Sequence, residues 1–495
     1  MNSAIMLLER TAAKFGGRIA IEDSSETITY EKLRELGARI GSFLLEAEIH
    51  GPVMVYLPKS IGAIASFMGA MYSGNVYVPT DPLAPPERLK RIIDTLKPAC
   101  VITDRERSGE SFGVPVVVYE DAILHSEDCE ALKRSVNGVK DSDPIYVIFT
   151  SGSTGTPKGV TIPHRGVIDY SKWVVSEFGF SQDTVLASQA PLYFDNSVFD
   201  IYGAIRSGAK LCIIPDSLLR FPSKLPEFLR EKGITDFLWV PTVMINVANS
   251  GALEGVSLPK LRTVAFAGEV MPNAQLNIWR KALPDCRYAN LYGPTEITDV
   301  CCFYDVKKQF ADHDPLPIGK ARKNMSAYIL DEDMHPVKCG DTGELCIAGS
   351  ALALGYWNQP ELTNRAFVQM GYERIYRTGD LCHMSEDGEL IYEGRMDGQI
   401  KVKGNRIELG EVENAARCIE GVLNCCALFD SVNKEIVLFV ESGGTLPFRR
   451  FNLALKQFIP GYMLPSRMEV YEKLPLTPNG KIDRVKLKNT LGGTK

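Results

Sequence analysis

Residues 145–160 read Ile-Tyr-Val-Ile-Phe-Thr-Ser-Gly-Ser-Thr-Gly-Thr-Pro-Lys-Gly-Val, and no other stretch of the chain is as informative. The β-forming run at 145–149 predicts a buried strand, which leads into a loop of glycines, hydroxyl side chains and Lys158. Glycines let backbone N–H groups approach an anion closely, and hydroxyl groups and a lysine bind phosphate oxygens. We therefore predict a phosphate-binding loop; the alternative is an ordinary glycine- and serine-rich surface turn.

Two common phosphate-binding patterns do not match this loop. A P-loop requires Gly-x-x-x-x-Gly-Lys followed by Ser or Thr, whereas Lys158 follows Pro157 and precedes Gly159. The Gly-x-Gly-x-x-Gly pattern of dinucleotide-binding domains is also absent from this stretch. If the loop binds phosphate, it therefore does so by a pattern other than these two.

Length and hydropathy restrict the fold. A chain of 495 residues is too long for one core and predicts two to four domains. Its 45% hydrophobic and 23% charged residues are typical of a globular protein. No apolar run approaches the ~18 residues that span a membrane, and the N-terminus predicts an amphipathic helix rather than a signal peptide. We expect a cytoplasmic protein without membrane insertion.

Charge, cysteine and histidine content argue against several functions. A net charge of −6 without a basic stripe argues against nucleic acid as a partner. The twelve cysteines include no Cys-x-x-Cys spacing, which predicts reduced thiols. Six scattered histidines indicate no zinc site.

The order of apolar runs predicts an α/β fold. Buried-strand runs at 53–57, 116–119, 237–240 and 263–266 alternate with amphipathic stretches. After about residue 320, short strands separated by Gly and Asp turns predict a small β-subdomain. The last ~95 residues indicate a small, mobile α+β domain. We therefore predict a large N-terminal domain of layered α/β subdomains plus the β-subdomain over 1–394, and a C-terminal domain over 395–495.

Seven motifs occur in the order found in one superfamily. The phosphate loop is followed by Tyr193-Phe-Asp-Asn-Ser-Val-Phe-Asp200, Ala267-Gly-Glu269, Asn290-Leu-Tyr-Gly-Pro-Thr-Glu296, Tyr376-Arg-Thr-Gly-Asp380, Gly394-Arg-Met-Asp397 and Pro478-Asn-Gly-Lys-Ile-Asp-Arg484. Over nearly its whole length the chain resembles the adenylate-forming superfamily, which comprises acyl-CoA synthetases, luciferases and the adenylation domains of nonribosomal peptide synthetases.

The resemblance implies that the chain binds ATP and Mg²⁺. Tyr292 offers an aromatic face for adenine, and Glu296 is a hard oxygen ligand suited to Mg²⁺. By resemblance, Asp380 binds the ribose hydroxyls, although a plain turn residue is the alternative for it. The implied nucleotide-binding residues are Thr150, Ser151, Gly152, Ser153, Thr154, Gly155, Lys158, Gly268, Glu269, Asn290, Leu291, Tyr292, Gly293, Pro294, Thr295, Asp380, Tyr392, Arg395 and Lys481.

The resemblance also implies the reaction and its catalytic residues. A substrate carboxylate attacks the α-phosphorus of ATP and pyrophosphate leaves. Such a step needs positioning and cationic stabilisation but no protein nucleophile. The family pattern assigns catalysis to Lys481, Glu296 and Thr150, and places Lys481 against both the substrate carboxylate and the nucleotide.

Asp195 indicates which acid is activated. In amino-acid-activating members an aspartate at this position holds the α-ammonium group, and a buried carboxylate needs such a positive partner. The alternatives are an N-cap role for Asp195 and an acyl-CoA synthetase that acts on a non-amino acid. The substrate-binding positions carried over from the family are Asp195, Asn196, Phe199, Leu238, Ala265, Ala267, Leu291, Asp299, Val300 and Lys481. Asp299 is unusual in this apolar set and either meets a polar or cationic side chain or points to solvent.

The implied partner is a separate carrier protein with a phosphopantetheine thiol. Only fourteen residues follow Lys481, too few for a fused carrier domain. The sequence resembles those of D-alanine–carrier protein ligases. However, Ala267 and Asp299 stand where those enzymes usually have a cysteine and an apolar residue, so the identity of the amino acid substrate stays open. Because Lys481 fills space that the thiol needs, we expect the C-terminal domain to rotate about a hinge at Asp397.

Overall fold

The computed structural model describes residues 1–152, 156–312, 314–396, 399–402, 404–444, 446–475 and 482–491. Five residues with predicted roles lie outside these ranges: Ser153, Thr154, Gly155, Asp397 and Lys481. The chain forms two compact units. The first comprises Met1–Pro82, Leu96–Ile148 and Gly159–Gly394, and the second comprises Leu83–Thr95, Phe149–Lys158 and Arg395–Lys495.

The strands run through both units. In chain order they are β1 (Ile19–Glu22), β2 (Thr27–Thr29), β3 (Pro52–Tyr56), β4 (Val76–Pro79), β5 (Cys100–Thr103), β6 (Val116–Val118), β7 (Pro144–Thr150), β8 (Lys158–Pro163), β9 (Val185–Ser188), β10 (Lys210–Ile213), β11 (Asp236–Trp239), β12 (Thr263–Ala267), β13 (Arg287–Tyr292), β14 (Cys302–Asp305), β15 (Lys320–Ala321), β16 (Met325–Leu330), β17 (Gly343–Gly349), β18 (Gly355–Tyr356), β19 (Phe367–Met370), β20 (Glu373–Met384), β21 (Leu390–Arg395), β22 (Gln399–Val402), β23 (Asn405–Glu408), β24 (Asn424–Asp430), β25 (Glu435–Glu441) and β26 (Arg467–Tyr471).

The helices alternate with the strands for most of the first unit. They are α1 (Ile5–Phe15), α2 (Tyr30–Glu46), α3 (Ile61–Tyr72), α4 (Pro86–Leu96), α5 (Tyr119–Ala122), α6 (Cys129–Gly138), α7 (His164–Phe178), α8 (Asn196–Ser207), α9 (Asp216–Leu219), α10 (Leu225–Lys232), α11 (Pro241–Asn249), α12 (Asn273–Ala282), α13 (Pro360–Ala366), α14 (Leu409–Arg417), α15 (Phe448–Leu455) and α16 (Arg484–Leu491). Single 3₁₀ turns occur at Pro222–Lys224, Thr295–Ile297 and Gly461–Met463.

Two large sheets form the framework of the first unit. One has the strand order β15-β14-β13-β12-β11-β9-β10-β1-β2, and the other has the order β18-β8-β7-β4-β3-β5-β6. Their central strands pair in parallel, such as β11 with β12 and β3 with β4. Strands buried on both faces have continuous apolar sequences, as β3 and β5 show. The helix α3 is buried on nearly every side, which is the environment expected for an all-apolar helix.

The carboxyl ends of the strands position the candidate site. The parallel strands β11, β12 and β13 place Leu238 beside Ala265, and Ala267 beside Leu291. In an open parallel sheet, ligands bind beyond these carboxyl ends. The strand β13 then continues into a loop and the 3₁₀ turn Thr295–Ile297.

The remaining sheets correspond to the predicted smaller subdomains. A five-stranded sheet has the order β16-β17-β20-β19, with β21 paired to β20. The neighbouring strands along β16-β17-β20-β19 pair in antiparallel fashion. In the second unit, β22 and β23 form a hairpin, while β24, β25 and β26 form a sheet over a core of residues from α14 and α15. Arg88 of α4 and Glu411 of α14 form a buried ion pair within this unit. The predicted mixed α/β fold class is confirmed.

No helix in the described ranges combines the length and the apolar character that crossing a bilayer requires.

Candidate active site

The strand β13 brings together three residues with predicted nucleotide roles. Tyr292 at its end is buried, and its hydroxyl donates to Oδ2 of Asp380. The ring centroids of Tyr292 and Tyr392 lie 6.5 Å apart with a tilt of 40°. Burial, together with the adjacent Asp380, raises the pKa of Tyr292 well above its usual value, so the phenol stays protonated and donates. The hydroxyl therefore holds the Asp380 carboxylate, and the stacking of the Tyr292 ring on adenine stays a prediction.

Asn290 and Glu269 have well-defined partners in the protein. The Nδ2 of Asn290 donates to the carbonyl oxygen of Pro317 at 2.7 Å. The Oε2 of Glu269 accepts from both the backbone N–H and the hydroxyl of Thr242, at 3.0 and 2.7 Å. Thr242 lies in the first turn of α11, so Glu269 caps that helix. Its role toward the nucleotide stays a prediction, as does that of the neighbouring Gly268.

Glu296 lies in the 3₁₀ turn after β13 and is fully buried. The hydroxyl of Tyr356 donates to its Oε1 at 2.8 Å, and its carbonyl oxygen accepts from the backbone N–H of Ala353. A carboxylate buried to this degree is stabilised by cations and hydrogen-bond donors. Tyr356 was not predicted, and it fixes the orientation of the proposed Mg²⁺ ligand.

The loop from Gly293 to Val300 has an unusual backbone. Thr298 and Asp299 both have left-handed conformations, with φ of 59° and 70°. A Cβ on Gly293 would lie 1.8 Å from the carbonyl oxygen of Asp299, so only glycine fits there. Thr298 donates its hydroxyl to the carbonyl oxygen of Ala351 at 2.8 Å. The loop, which includes Pro294 and Thr295, is therefore folded tightly back toward its own start.

Asp195 stands at the entrance of α8. Its Oδ1 accepts from the backbone N–H of Asn196 at 3.1 Å, so the capping interaction considered from the sequence is present. The same carboxylate lies close enough to Tyr146 and Asp299 to raise the pKa of both, after burial as the larger cause. The Nδ2 of Asn196 and the hydroxyl of Tyr146 are buried and have no hydrogen-bond partner in the described structure. A bound ligand could supply hydrogen-bond partners for these two polar atoms.

The predicted apolar positions form the surrounding wall. Leu238, Ala265, Ala267, Leu291 and Val300 are all at most 4% exposed and belong to one hydrophobic core. Phe199 packs edge-on against Phe178 and Phe180, with ring centroids 5.5 and 5.7 Å away. Phe199 lies on α8, and its ring therefore packs into the hydrophobic core on the buried side of that helix.

Asp299 is the acidic exception in this wall. It is 3% exposed, so the interpretation that it points to solvent is wrong. The hydroxyl of Tyr170 donates to its Oδ2 at 2.6 Å. Tyr170 lies on α7, 129 residues away in sequence and outside every recognised motif.

The phosphate loop belongs to the second unit. The hydroxyl of Thr150, at the end of β7, is buried and lacks a partner within the described part of the chain. Ser151 donates to the carbonyl oxygen of Arg406 at 2.8 Å. A Cβ on Gly152 would lie 2.1 Å from the carbonyl oxygen of Thr156, so only glycine fits at position 152. Lys158 begins β8, and Arg395 ends β21.

Comparison with known proteins identifies the family. A model described as "AMP-binding enzyme" matches residues 8–357, and the chain belongs to this family. Zwittermicin A synthase ZmaJ of Bacillus cereus is 32% identical over 97% of this chain and 93% of that protein. A D-alanine--D-alanyl carrier protein ligase of Lacticaseibacillus casei is 31% identical over 98% of both chains.

A solved structure agrees with the fold. The Vibrio cholerae adenylation domain AlmE, solved with glycyl-adenosine-5'-phosphate, superposes with a TM-score of 0.83 and 23% identity. The match covers 99% of this chain and 98% of that domain. The chain is an adenylate-forming enzyme, a ligase that activates acids with ATP, and enzymes of this kind generally use Mg²⁺.

The residues present fit ATP with Mg²⁺. Mg²⁺ is usually held by one or two protein carboxylates together with substrate phosphates and water. In the described ranges no cluster of three or more His, Cys, Asp or Glu side chains could hold a metal alone. Within the first unit, the buried Glu296 would supply the protein ligand. A bound Mg²⁺ would neutralise phosphate charge.

Proposed function

We propose that the enzyme activates an amino acid with ATP and transfers it to the phosphopantetheine thiol of a separate carrier protein. The observation that carries this proposal is the carboxylate of Asp195 at the start of α8, beside the apolar wall. A carboxylate in such surroundings is suited to binding an ammonium group. The relative that is named a D-alanine--D-alanyl carrier protein ligase aligns over nearly its whole length, which supports both the substrate class and the partner.

In the first half-reaction, an oxygen of the amino acid carboxylate attacks the α-phosphorus and pyrophosphate leaves. In the second, the carrier thiol attacks the carbonyl carbon, the C–O bond to phosphate breaks and AMP leaves. We assign ATP and amino acid binding to 1–394. The domain at 395–495 supplies Lys481, which stabilises charge that develops on the phosphate.

ATP–pyrophosphate exchange tests the proposal. Amino acids should support exchange, and carboxylic acids of the same carbon skeleton without the amino group should not. Asp195→Asn should lower kcat/KM for the amino acid about 10- to 150-fold, the range for a hydrogen bond to a charged group. The KM for ATP should stay unchanged. The exposed Asp183, changed to Asn, is the matched control.

The competing function is an acyl-CoA synthetase that acts on a non-amino acid. Exchange driven by a plain carboxylic acid, together with formation of its CoA thioester, would establish that function and refute ours. Transfer is tested by incubating the enzyme with ATP, the best amino acid and phosphopantetheinylated carrier proteins. The intact mass of the correct carrier should rise by one aminoacyl group.

A further inference from the structure

Asp299 forms the end of a buried network that reaches across the first unit. Tyr170 donates to its Oδ2, and the guanidinium of Arg322 lies 5.5 Å from the centroid of the Tyr170 ring. Arg322 also donates from Nε to the carbonyl oxygen of Val300 at 2.8 Å. Arg322 therefore contacts both the ring of Tyr170 and the backbone of Val300. These contacts, together with the hydrogen bond from Tyr170, fix the position of the Asp299 carboxylate.

Asp169 anchors the far end of the network. The Nη1 of Arg322 contacts Oδ2 of Asp169 at 2.8 Å. Asp169 also accepts from Asn324 at 2.5 Å and from Ser350 at 2.7 Å. The charge of Arg322 is thus matched by Asp169, which lies next to Tyr170 in sequence.

Within the described part of the protein, more negative than positive charge lies around Asp299. Burial and the nearby Asp195 raise its pKa well above the usual range, and Asp200 acts in the same direction. Arg322 is the cation that opposes this shift, but it is already paired with Asp169. In the described ranges, the hydroxyl of Tyr170 is the hydrogen-bond donor to this carboxylate. An ionised Asp299 therefore calls for a further positive partner.

The backbone supports a functional role for this position. Two consecutive left-handed residues other than glycine cost about 1–3 kcal/mol each and persist only where the surrounding structure enforces them. Here Gly293, Ala351 and Arg322 enforce the conformation through the contacts described above. The strained loop thus holds the Asp299 carboxylate in the interior, against the hydroxyl of Tyr170, instead of exposing it to solvent.

We infer that the substrate is a diamino acid, and that Asp299 binds the ammonium group of its side chain while Tyr170 positions Asp299. This inference rests on the proposed function, in which Asp195 binds the α-ammonium group. Burial, and after it Asp195 and Asp299, raise the pKa of the Tyr146 phenol, so both carboxylates lie in the electrostatic surroundings of this one side chain. Asp299 is then the residue that determines specificity.

The test compares diamino acids with matched amino acids that lack the second amine. ATP–pyrophosphate exchange is measured with both enantiomers of 2,3-diaminopropionate, 2,4-diaminobutyrate, ornithine and lysine. The matched apolar substrates are 2-aminobutyrate, norvaline, norleucine and 2-aminoheptanoate, in the same order, and serine and homoserine are the hydroxyl counterparts of the two shortest diamino acids. We expect one diamino acid to exceed its matched substrates in kcat/KM by about 10- to 150-fold.

Three variants connect this preference to the network. Asp299→Asn should remove the preference, lowering kcat/KM for the diamino acid and not for its apolar counterpart. Tyr170→Phe should raise KM for the diamino acid several-fold with little change in kcat, and leave the apolar counterpart unaffected. Asp183→Asn should behave as wild type.

The outcomes separate this inference from the proposed function. A wild-type enzyme that prefers an apolar or hydroxyl amino acid refutes the inference while the proposed function stands. The same holds if Asp299→Asn or Tyr170→Phe changes both members of a substrate pair equally. If no amino acid supports exchange, the proposed function itself is refuted. The wild-type comparison decides the matter even where a variant fails to fold.

Discussion

Replacing Gly293 with alanine should disrupt the loop that carries Glu296 and Asp299. The added Cβ would lie 1.8 Å from the carbonyl oxygen of Asp299 and 2.8 Å from the Cα of Val300. Both neighbours are backbone atoms, so no side-chain rotation relieves the clash. An ordinary van der Waals contact begins at 3.4 Å, so a gap of 3.4 − 1.8 = 1.6 Å must open.

The size of the effect follows from where that movement must occur. Asp299 and its neighbour Thr298 have left-handed backbones. Thr298 is tied to Ala351, and Val300 is tied to Arg322. Overpacking a rigid site costs about 1–3 kcal/mol, and sometimes more. A misplacement of about 1 Å near reacting groups lowers a rate by on the order of 10²-fold. We expect the variant to lose stability in this range and to lose about 99% of its exchange activity.

Urea denaturation and ATP–pyrophosphate exchange on the same preparation measure both effects. Gly109→Ala is the control, because nothing lies within 4 Å of a Cβ built there and its backbone is not left-handed. That variant should stay within about 0.5 kcal/mol of wild type. If Gly293→Ala matched Gly109→Ala in both stability and activity, the packing of the loop described here would be wrong.

Three further predictions concern pH, catalysis and domain movement. Burial lowers the pKa of His164 from 6.5 to about 4, so the unfolded state binds more protons and stability falls as pH drops from about 6.5 toward 4. His164→Asn should weaken that loss, which amounts to ~3 kcal/mol at most, as urea midpoints at pH 7, 5.5 and 4.5 would show. Lys481→Ala should lower adenylate formation by on the order of 10²–10³ while ATP still binds in calorimetry. Asp397→Pro would fix φ near about −65° and should reduce transfer to the carrier much more than pyrophosphate exchange.

Each of these has a contradicting result. An unchanged acid dependence in His164→Asn would exclude this histidine as a source of it. Lys481→Ala with more than half of wild-type exchange would refute the assigned role of that lysine. Equal loss of both half-reactions in Asp397→Pro would remove the hinge from the mechanism.

Local sequence patterns predicted the strands well. The runs at 53–57, 116–119, 237–240 and 263–266 correspond within a residue or two to β3, β6, β11 and β12. Three of these strands, β3, β11 and β12, lie inside sheets in parallel pairs, and their burial on both faces demands an unbroken apolar run that sequence alone reveals. The strand β6 is an edge strand and is only partly buried. The N-terminal amphipathic helix was likewise confirmed as α1, because its apolar face follows the helical period.

The partners that orient the site residues could not be predicted in this way. Tyr356 binds Glu296 across 60 residues, and Tyr170 binds Asp299 across 129. Neither tyrosine lies in a motif, and a hydrogen bond between distant elements leaves no local pattern. Glu269 shows the opposite case. It does lie in a motif, but its carboxylate caps α11 through Thr242, and the motif did not predict that contact.

Two titratable groups with strongly shifted pKa values, Lys59 and Asp200, were also missed. Burial lowers the pKa of Lys59 to about 8 and raises that of Asp200 to about 8, and each group opposes the shift of the other. The Nζ of Lys59 donates to the carbonyl oxygens of Ser188 and Gln189, at 2.8 and 3.0 Å. From the sequence, Lys59 was indistinguishable from a solvated lysine, because the carbonyl oxygens that it contacts lie 129 and 130 residues away.

Isotope transfer tests the central claim most directly. The amino acid that best supports exchange is labelled with ¹⁸O in both carboxylate oxygens and incubated with ATP and a phosphopantetheine thiol. Because a carboxylate oxygen attacks the α-phosphorus and stays on phosphate when the thiol attacks carbon, the AMP released should carry one ¹⁸O. Unlabelled AMP, or ADP with inorganic phosphate, would contradict adenylate formation by this enzyme.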